Sequence, residues 1–221
     1  MYELLGICLV LAALLTINAL ASLATAAIWR LLERFAPGWS PRSRVDILFA
    51  MRVSSPVLAM IAVSLFLVPS YLNYEPYSTP EVVSKKLAAL ALVSGLGVIF
   101  ALWRCARSWW ATHLLLREWL VLAHRIRLEG IDIPTFRLPH AFPIIAVVGT
   151  MRSRLFIAER VMQSLTHEEL AAAIAHECGH LVARDNFKRL LLRMCRDLLM
   201  IVPCGRSLDR AWAEEIGRAH V

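Results

Sequence analysis

A mainly α-helical, polytopic membrane protein with a small α+β domain behind its spans is the fold class this sequence predicts, on three observations. Residues 1–104 hold three apolar segments of membrane-crossing length, residues 143–158 hold two β-branched runs about a glycine, and residues 166–180 read as a capped, alanine-rich helix. The apolar fraction of 58% exceeds the roughly 45–50% of soluble domains, and the three segments account for the excess.

The first segment, Leu4 to Trp29, carries no charge, only Thr16, Asn18, Ser22 and Thr25 among apolar residues. About twenty such residues cross a bilayer. The run is too long for the apolar core of a signal peptide and lacks a basic leader, so it is expected to remain as a span. The second, Val53 to Leu72, is entered past Arg52 and Pro56 and left through Pro69, Tyr71 and Tyr74, whose rings suit the headgroup level. The third, Leu87 to Trp103, is short. Lys85 and Lys86 can snorkel at one end while Trp103, Trp109 and Trp110 anchor the other. Ser94, Gly95 and Gly97 are small enough to let a neighbouring helix approach closely.

Arginines set the orientation, because short cytoplasmic loops carry the basic excess. Arg30, Arg34, Arg42, Arg44 and Arg52 follow span one, and Arg104, Arg107, Arg117, Arg125 and Arg127 follow span three. The loop Tyr74 to Glu81 has no basic residue. The N-terminus is therefore expected outside, and everything after span three in the cytoplasm, in a bacterial inner or plasma membrane. The net charge of +7 is accounted for by these arginines facing anionic lipid and needs no nucleic-acid partner. The five cysteines, Cys8, Cys105, Cys178, Cys195 and Cys204, show no close-paired spacing and are expected as free thiols on a reducing side.

From Arg104 to Leu128 the mixture of Trp, Leu and Arg suits a helix leaving the membrane or lying along it, with His113 and His124 as interfacial side chains. Gly130 and Pro134 are expected to end it. Pro143 to Gly149 and Leu155 to Ala158 then predict a β-hairpin. It either packs against the following helix or offers a strand edge to an extended peptide. Thr166-His167-Glu168-Glu169 has the form of a capping box that starts this helix, which runs through Ala171, Ala172 and Ala173.

That helix carries Ala175-His176-Glu177-Cys178-Gly179-His180. Residues i and i+4 share a helix face, so His176 and His180 can reach one metal ion while Glu177 points to a water beside it. These residue types at this spacing predict a zinc site that hydrolyses amide bonds, with Glu177 as general base. Cys178 is read as helix packing. A catalytic zinc takes three protein ligands. The third is not the histidine of a metzincin, since Ala183 and Asn186 stand where that pattern has Gly and His. A downstream carboxylate is expected: Glu214 or Glu215, with Asp197 and Asp209 behind them. Asp185 is read as a residue that orients a histidine or ends a helix. Leu190 to Val202 is too short for a comfortable span and is expected as a buried or interfacial helix, ended by Pro203, Cys204 and Gly205.

Leu165-Thr166-x-Glu168-Glu169-Leu170, followed by Ala173-Ile174-Ala175-His176-Glu177-x-x-His180 and Asp185, resembles the membrane gluzincin peptidases. The resemblance is to peptidase family forty-eight, the HtpX-like and CAAX-prenyl-protease-like group, with the BlaR/MecR-type sensor peptidases of family fifty-six close behind. It covers residues 139–185 and implies a zincin-like α+β metallopeptidase domain in which His176 and His180 bind zinc and Glu177 is the general base. Those families take the third ligand from a later Glu-x-x-x-Asp helix. Here Arg218 and Ala219 stand where the Asp would follow Glu214 or Glu215. Ile216 to Val221 matches the translated start of a common sequencing adapter, so residues 216–221 are expected to be non-native. Glu214 is then the best third ligand within the chain.

The expected organisation is three spans over 1–104, a juxtamembrane helix over 105–130 and a zinc peptidase domain over 131–215. The partners expected are a lipid bilayer and a peptide or membrane-protein substrate. Two other functions stay open from the residues alone, a signal-transducing membrane protease and a non-catalytic membrane scaffold.

Overall fold

The computed structural model describes residues 2–35, 38–76, 82–128, 131–139, 143–149, 153–182, 184–199 and 206–219, with the side chains of His180, Val182 and 217–219 outside the description. The chain is mainly helical with one small sheet. It divides into two compact units, Met1–Trp103 with Leu191–Ala219, and Arg104–Leu190.

In the first unit, α1 (Tyr2–Leu32), α2 (Pro41–Ala62) and the first half of α4 (Lys85–Leu122) are the three apolar helices. The second is prolonged through a π-helical turn (Val63–Leu67) into α3 (Val68–Tyr74), and all three are long and apolar enough to cross a membrane. Large apolar side chains such as Leu20, Phe66, Leu92 and Ile99 are exposed, as a lipid-facing surface requires. Pro69 explains the π turn. It has no N–H for the carbonyl of Leu65 and its ring crowds that group, so the helix widens and the Val68 N–H reaches back to the Val63 carbonyl.

Small and polar residues face inward. Ser22 and Ser55 are fully buried, and the hydroxyls of Thr25 and Ser55 lie 3.3 Å apart across α1 and α2. At the other end of α1 the Tyr71 hydroxyl donates to the Tyr2 carbonyl at 2.6 Å. A Cβ on Gly6 would come within 2.8 Å of the Tyr71 ring, so only glycine allows this approach. The small residues of the third span act as expected: a Cβ on Gly97 would lie 3.1 Å from the Leu198 carbonyl oxygen. That carbonyl ends α7 (Asp185–Leu198), a helix that contributes to both units.

The helix α8 (Arg206–Ala219) packs on α2 through Leu208 and Trp212, which join a core with Trp29, Val45, Leu48 and Leu192. Two ion pairs flank this contact, Arg44 to Glu215 and Arg52 to Asp209, each at 2.9 Å. Cys195 lies in the same unit, and burial pushes its thiol up to about 11, with Arg52 lowering and Asp209 raising it to smaller extents. It stays protonated at neutral pH. Among the described residues Cys8, Cys105, Cys178 and Cys195 are free thiols.

The second unit corrects one expectation. The helix expected to end at Gly130 and Pro134 ends sooner: α4 runs unbroken from the third span to Leu122 and the chain enters a strand directly after it, while Gly130 itself lies outside the described residues. The sheet has four strands, β1 (His124–Ile126), β2 (Thr135–Leu138), β3 (Ile145–Val148) and β4 (Arg154–Ala158), in the order β1-β2-β4-β3. The predicted hairpin is the antiparallel β3–β4 pair, while β2 runs parallel to β4 on its other side. Central β4 has Leu155 to Ala158 fully buried, as a strand covered on both faces must. Leu155, Ile157 and Ala158 meet Leu170, Ile174 and Cys178 of α6 (His167–Val182), while the Phe156 ring packs on Trp119 and Phe136. A short α5 (Glu159–Ser164) joins β4 to α6.

The capping box of α6 forms as expected. Glu169 Oε2 accepts from the Thr166 N–H at 2.9 Å and the Thr166 hydroxyl at 3.0 Å, and the Glu169 N–H donates to Thr166 Oγ1 at 3.3 Å. The Thr166 backbone and hydroxyl hold the Glu169 carboxyl below its usual range. Thr166→Ala should cost about 1 kcal/mol. A group with a depressed folded pKa stabilises fully above its unfolded value and loses that contribution as pH falls through the folded one. The gap in thermal midpoint between wild type and Glu169→Gln should therefore be widest near neutrality and close in acid. A gap independent of pH would contradict this.

Candidate active site

The site is built on α6, which the capping box starts and which continues without interruption to Val182. Its positions 170, 174 and 178 face the sheet, since Leu170, Ile174 and Cys178 pack on β4. Cys178 is therefore a packing residue, and burial, followed by the neighbouring Glu177 charge, raises its thiol above the usual value. His176 and Glu177 turn away from that core; His176 is exposed and Glu177 half-buried. His180 lies one turn beyond His176 on the same helix, and its side chain is outside the described set.

The helix ends at a strained turn. Arg184 adopts φ 54°, a left-handed conformation that costs a residue with a Cβ about 1 kcal/mol or more. Its carbonyl then accepts from the N–H groups of Phe187 and Lys188, which starts α7 in a new direction. This reversal brings Asp185, 3% exposed, together with Asn186 and Arg189 into one cleft with Glu177. The cleft measures about 180 Å³ and is lined by Val147, Glu177, Leu181, Asp185, Asn186 and Arg189. Asp185, expected to orient a histidine or to lie at a helix end, is the first residue of α7. Asn186, Arg189, Leu181 and Val147 were not anticipated, because their convergence depends on the turn at Arg184 and on the placement of β3.

Val147 belongs to an edge strand. The Ala158 N–H donates to the Ile144 carbonyl at 2.8 Å, so by the alternation of an antiparallel ladder Ile145 and Val147 direct their N–H and C=O groups away from β4. Asn186 Nδ2 donates to the outward Val147 carbonyl at 3.4 Å, linking the edge strand to the start of α7.

The carboxylates expected downstream lie on elements of the other unit. Glu214 is exposed on α8, Glu215 is buried against Arg44, and Asp209 meets Arg52. Asp197 is buried with its carboxylate 3.7 Å from Arg196. No group of three His, Cys, Asp or Glu forms a ligand set among the described residues. His113 stacks on Trp109 with ring centroids 4.3 Å apart, as an interfacial side chain would, and His124 starts β1. Residues 203–205, expected to end the helix after Leu190, lie outside the described residues; α7 starts earlier than expected, at Asp185.

Comparison with curated proteins finds no match. The sequence pattern of Peptidase family M48 matches residues 144–217. The match begins at the hairpin that carries the cleft's edge strand, runs through the whole of α6 and α7, and includes most of α8. A peptidase segment that follows three apolar helices agrees with both the helical spans and the His-Glu-x-x-His helix. Residues 144–217 are thus similar to peptidase family M48, in a chain with three helices long and apolar enough to cross a membrane.

Proposed function

We propose that this protein is a membrane-bound, zinc-dependent endopeptidase whose active site faces the cytoplasm, in a bacterial inner or plasma membrane with the N-terminus outside. One observation carries it: within the matched peptidase segment, Glu177 and the two histidine positions lie on one unbroken, capped helix. The donor set suits the metal, since two imidazoles at i, i+4 bind zinc and an exposed His176 is accessible to it. His176 and His180 are the proposed ligands, and Glu214 is the proposed third within the chain.

Held there, zinc supplies Lewis acidity to a water and to the oxygen of the scissile carbonyl. The remaining steps belong to the protein. The Glu177 carboxylate accepts a proton from the water as its oxygen bonds to the carbonyl carbon, then delivers that proton to the amine nitrogen as the C–N bond breaks. The outward backbone groups of Ile145 and Val147 hold an extended substrate by strand addition, largely without regard to its sequence. Peptides and membrane-near proteins are the proposed substrates, with no nucleic acid involved.

The test is metal removal from the detergent-solubilised protein. Zinc content should approach one per chain, and a strong chelator should abolish casein cleavage, which added zinc restores. Cleavage that persists after the metal is stripped would sink the proposal.

A further inference from the structure

The cleft beside Glu177 contains a cation with no part in proton transfer. Among the described residues the Arg189 side chain makes no hydrogen bond or ion pair, although it lines the cleft and is exposed. Arg137, another exposed arginine of the same unit, has Glu159 at 3.9 Å. Asn186 and Arg189 stand three residues apart on α7 and therefore share a face. Asn186 spends a donor on the Val147 carbonyl, whereas among the described residues the guanidinium spends none.

The cleft's size and charge narrow what this group could meet. About 180 Å³ is smaller than the roughly 300–1,000 Å³ of whole-ligand pockets, and suits one side chain or a chain end. A planar guanidinium fork matches a carboxylate with two parallel hydrogen bonds. Glu177 and Asp185 share the lining, so an acidic group entering without Arg189 would meet two carboxylates. The guanidinium in the same lining offsets that repulsion.

We propose that Arg189 is a specificity-determining residue that binds a substrate carboxylate, so that this protein prefers peptides with an acidic side chain, or a free C-terminus, beside the scissile bond. The assignment rests on the peptidase function proposed above. It concerns which peptides are chosen, and leaves the bond-breaking step to Glu177.

The test uses the full chain in detergent and a quenched fluorescent peptide set. Members differ only in carrying Glu, Gln or Lys at one of the two residues on either side of the cleaved bond, each with a free or an amidated C-terminus. Wild type should cleave a carboxylate-bearing peptide about tenfold or more faster in kcat/KM than its neutral counterpart. A loss on Glu-to-Gln exchange assigns the carboxylate to a side chain, and a loss on amidation assigns it to the chain end. In Arg189→Gln the ratio should fall to about one, and in Arg189→Glu it should turn in favour of Lys.

Equal rates for acidic and neutral peptides, free and amidated, would overturn the proposal, as would a preference that survives Arg189→Gln. Affinity measured on the Glu177→Gln protein gives the same comparison without turnover. Equal affinity there for all members overturns the assignment even if no peptide is cut. Absence of any Glu177-dependent cleavage, with the carboxylate preference in binding intact, overturns the peptidase function instead.

Discussion

Glu177→Gln should lower kcat for peptide cleavage by about a hundred- to ten-thousandfold, the usual contribution of a general acid–base group, while zinc content stays at the wild-type level. Glutamine keeps the size and shape of the side chain but cannot accept the water's proton. Among the described residues the Glu177 side chain makes no hydrogen bond or ion pair, so the substitution strands no partner among them. Its half-buried position on the α6 face away from the core implies a thermal midpoint close to that of wild type. The comparison needs zinc analysis, a melting curve and casein cleavage on the same preparations. Undiminished cleavage by a correctly folded Glu177→Gln protein would overturn the assignment of Glu177 as the base.

Asp209→Ala should destabilise the membrane unit by about 3–5 kcal/mol, the usual cost of breaking a buried ion pair and leaving one charge behind. The two partners are not equivalent. The Arg52 side chain is 2% exposed, whereas that of Asp209 is 22% exposed. Removing Asp209 strands a guanidinium whose other hydrogen-bond partner among the described residues is the Ser22 hydroxyl at 3.4 Å, too weak to compensate it. Arg52→Met removes the deeper charge and leaves a carboxylate that is 22% exposed, so its loss should be smaller. The double substitution Arg52→Met with Asp209→Leu should recover much of the deficit, because apolar replacement of a whole buried pair is often neutral. Thermal midpoints in one detergent rank the three variants, and an Arg52→Met protein less stable than Asp209→Ala would contradict the asymmetry.

The spans, the β3–β4 hairpin and the capped α6 were all legible in the chain, for one physical reason. Each is set by neighbours in sequence: apolar length for α1, α2 and α4, β-branched runs about Gly149 for the hairpin, and the Thr166–Glu169 exchange for the helix start. The i, i+4 placement of His176 and His180 follows from the same local rule.

Strands β1 and β2 escaped notice because neither carries a strand signal of its own. His124-Arg125-Ile126 is short and charged, and Thr135 to Leu138 becomes a strand by running parallel to β4, a pairing that closes across the intervening β3. The length of α4 was equally hidden. Gly130 and Pro134 mark where a helix could not continue, but pairing of His124 with Arg137 ended it sooner.

Local pattern thus specified three membrane-length helices, one hairpin and a capped helix bearing His176, Glu177 and His180. Long-range packing specified the rest. Arg52 and Asp209, 157 residues apart, meet only because α8 lies on α2. Asn186 and Arg189 enter the cleft of Glu177 because Arg184 turns the chain at φ 54°. Hydrogen bonds and periodicity within a few residues are written in adjacent side chains, whereas a cleft is made by surfaces that the chain brings together only when it folds.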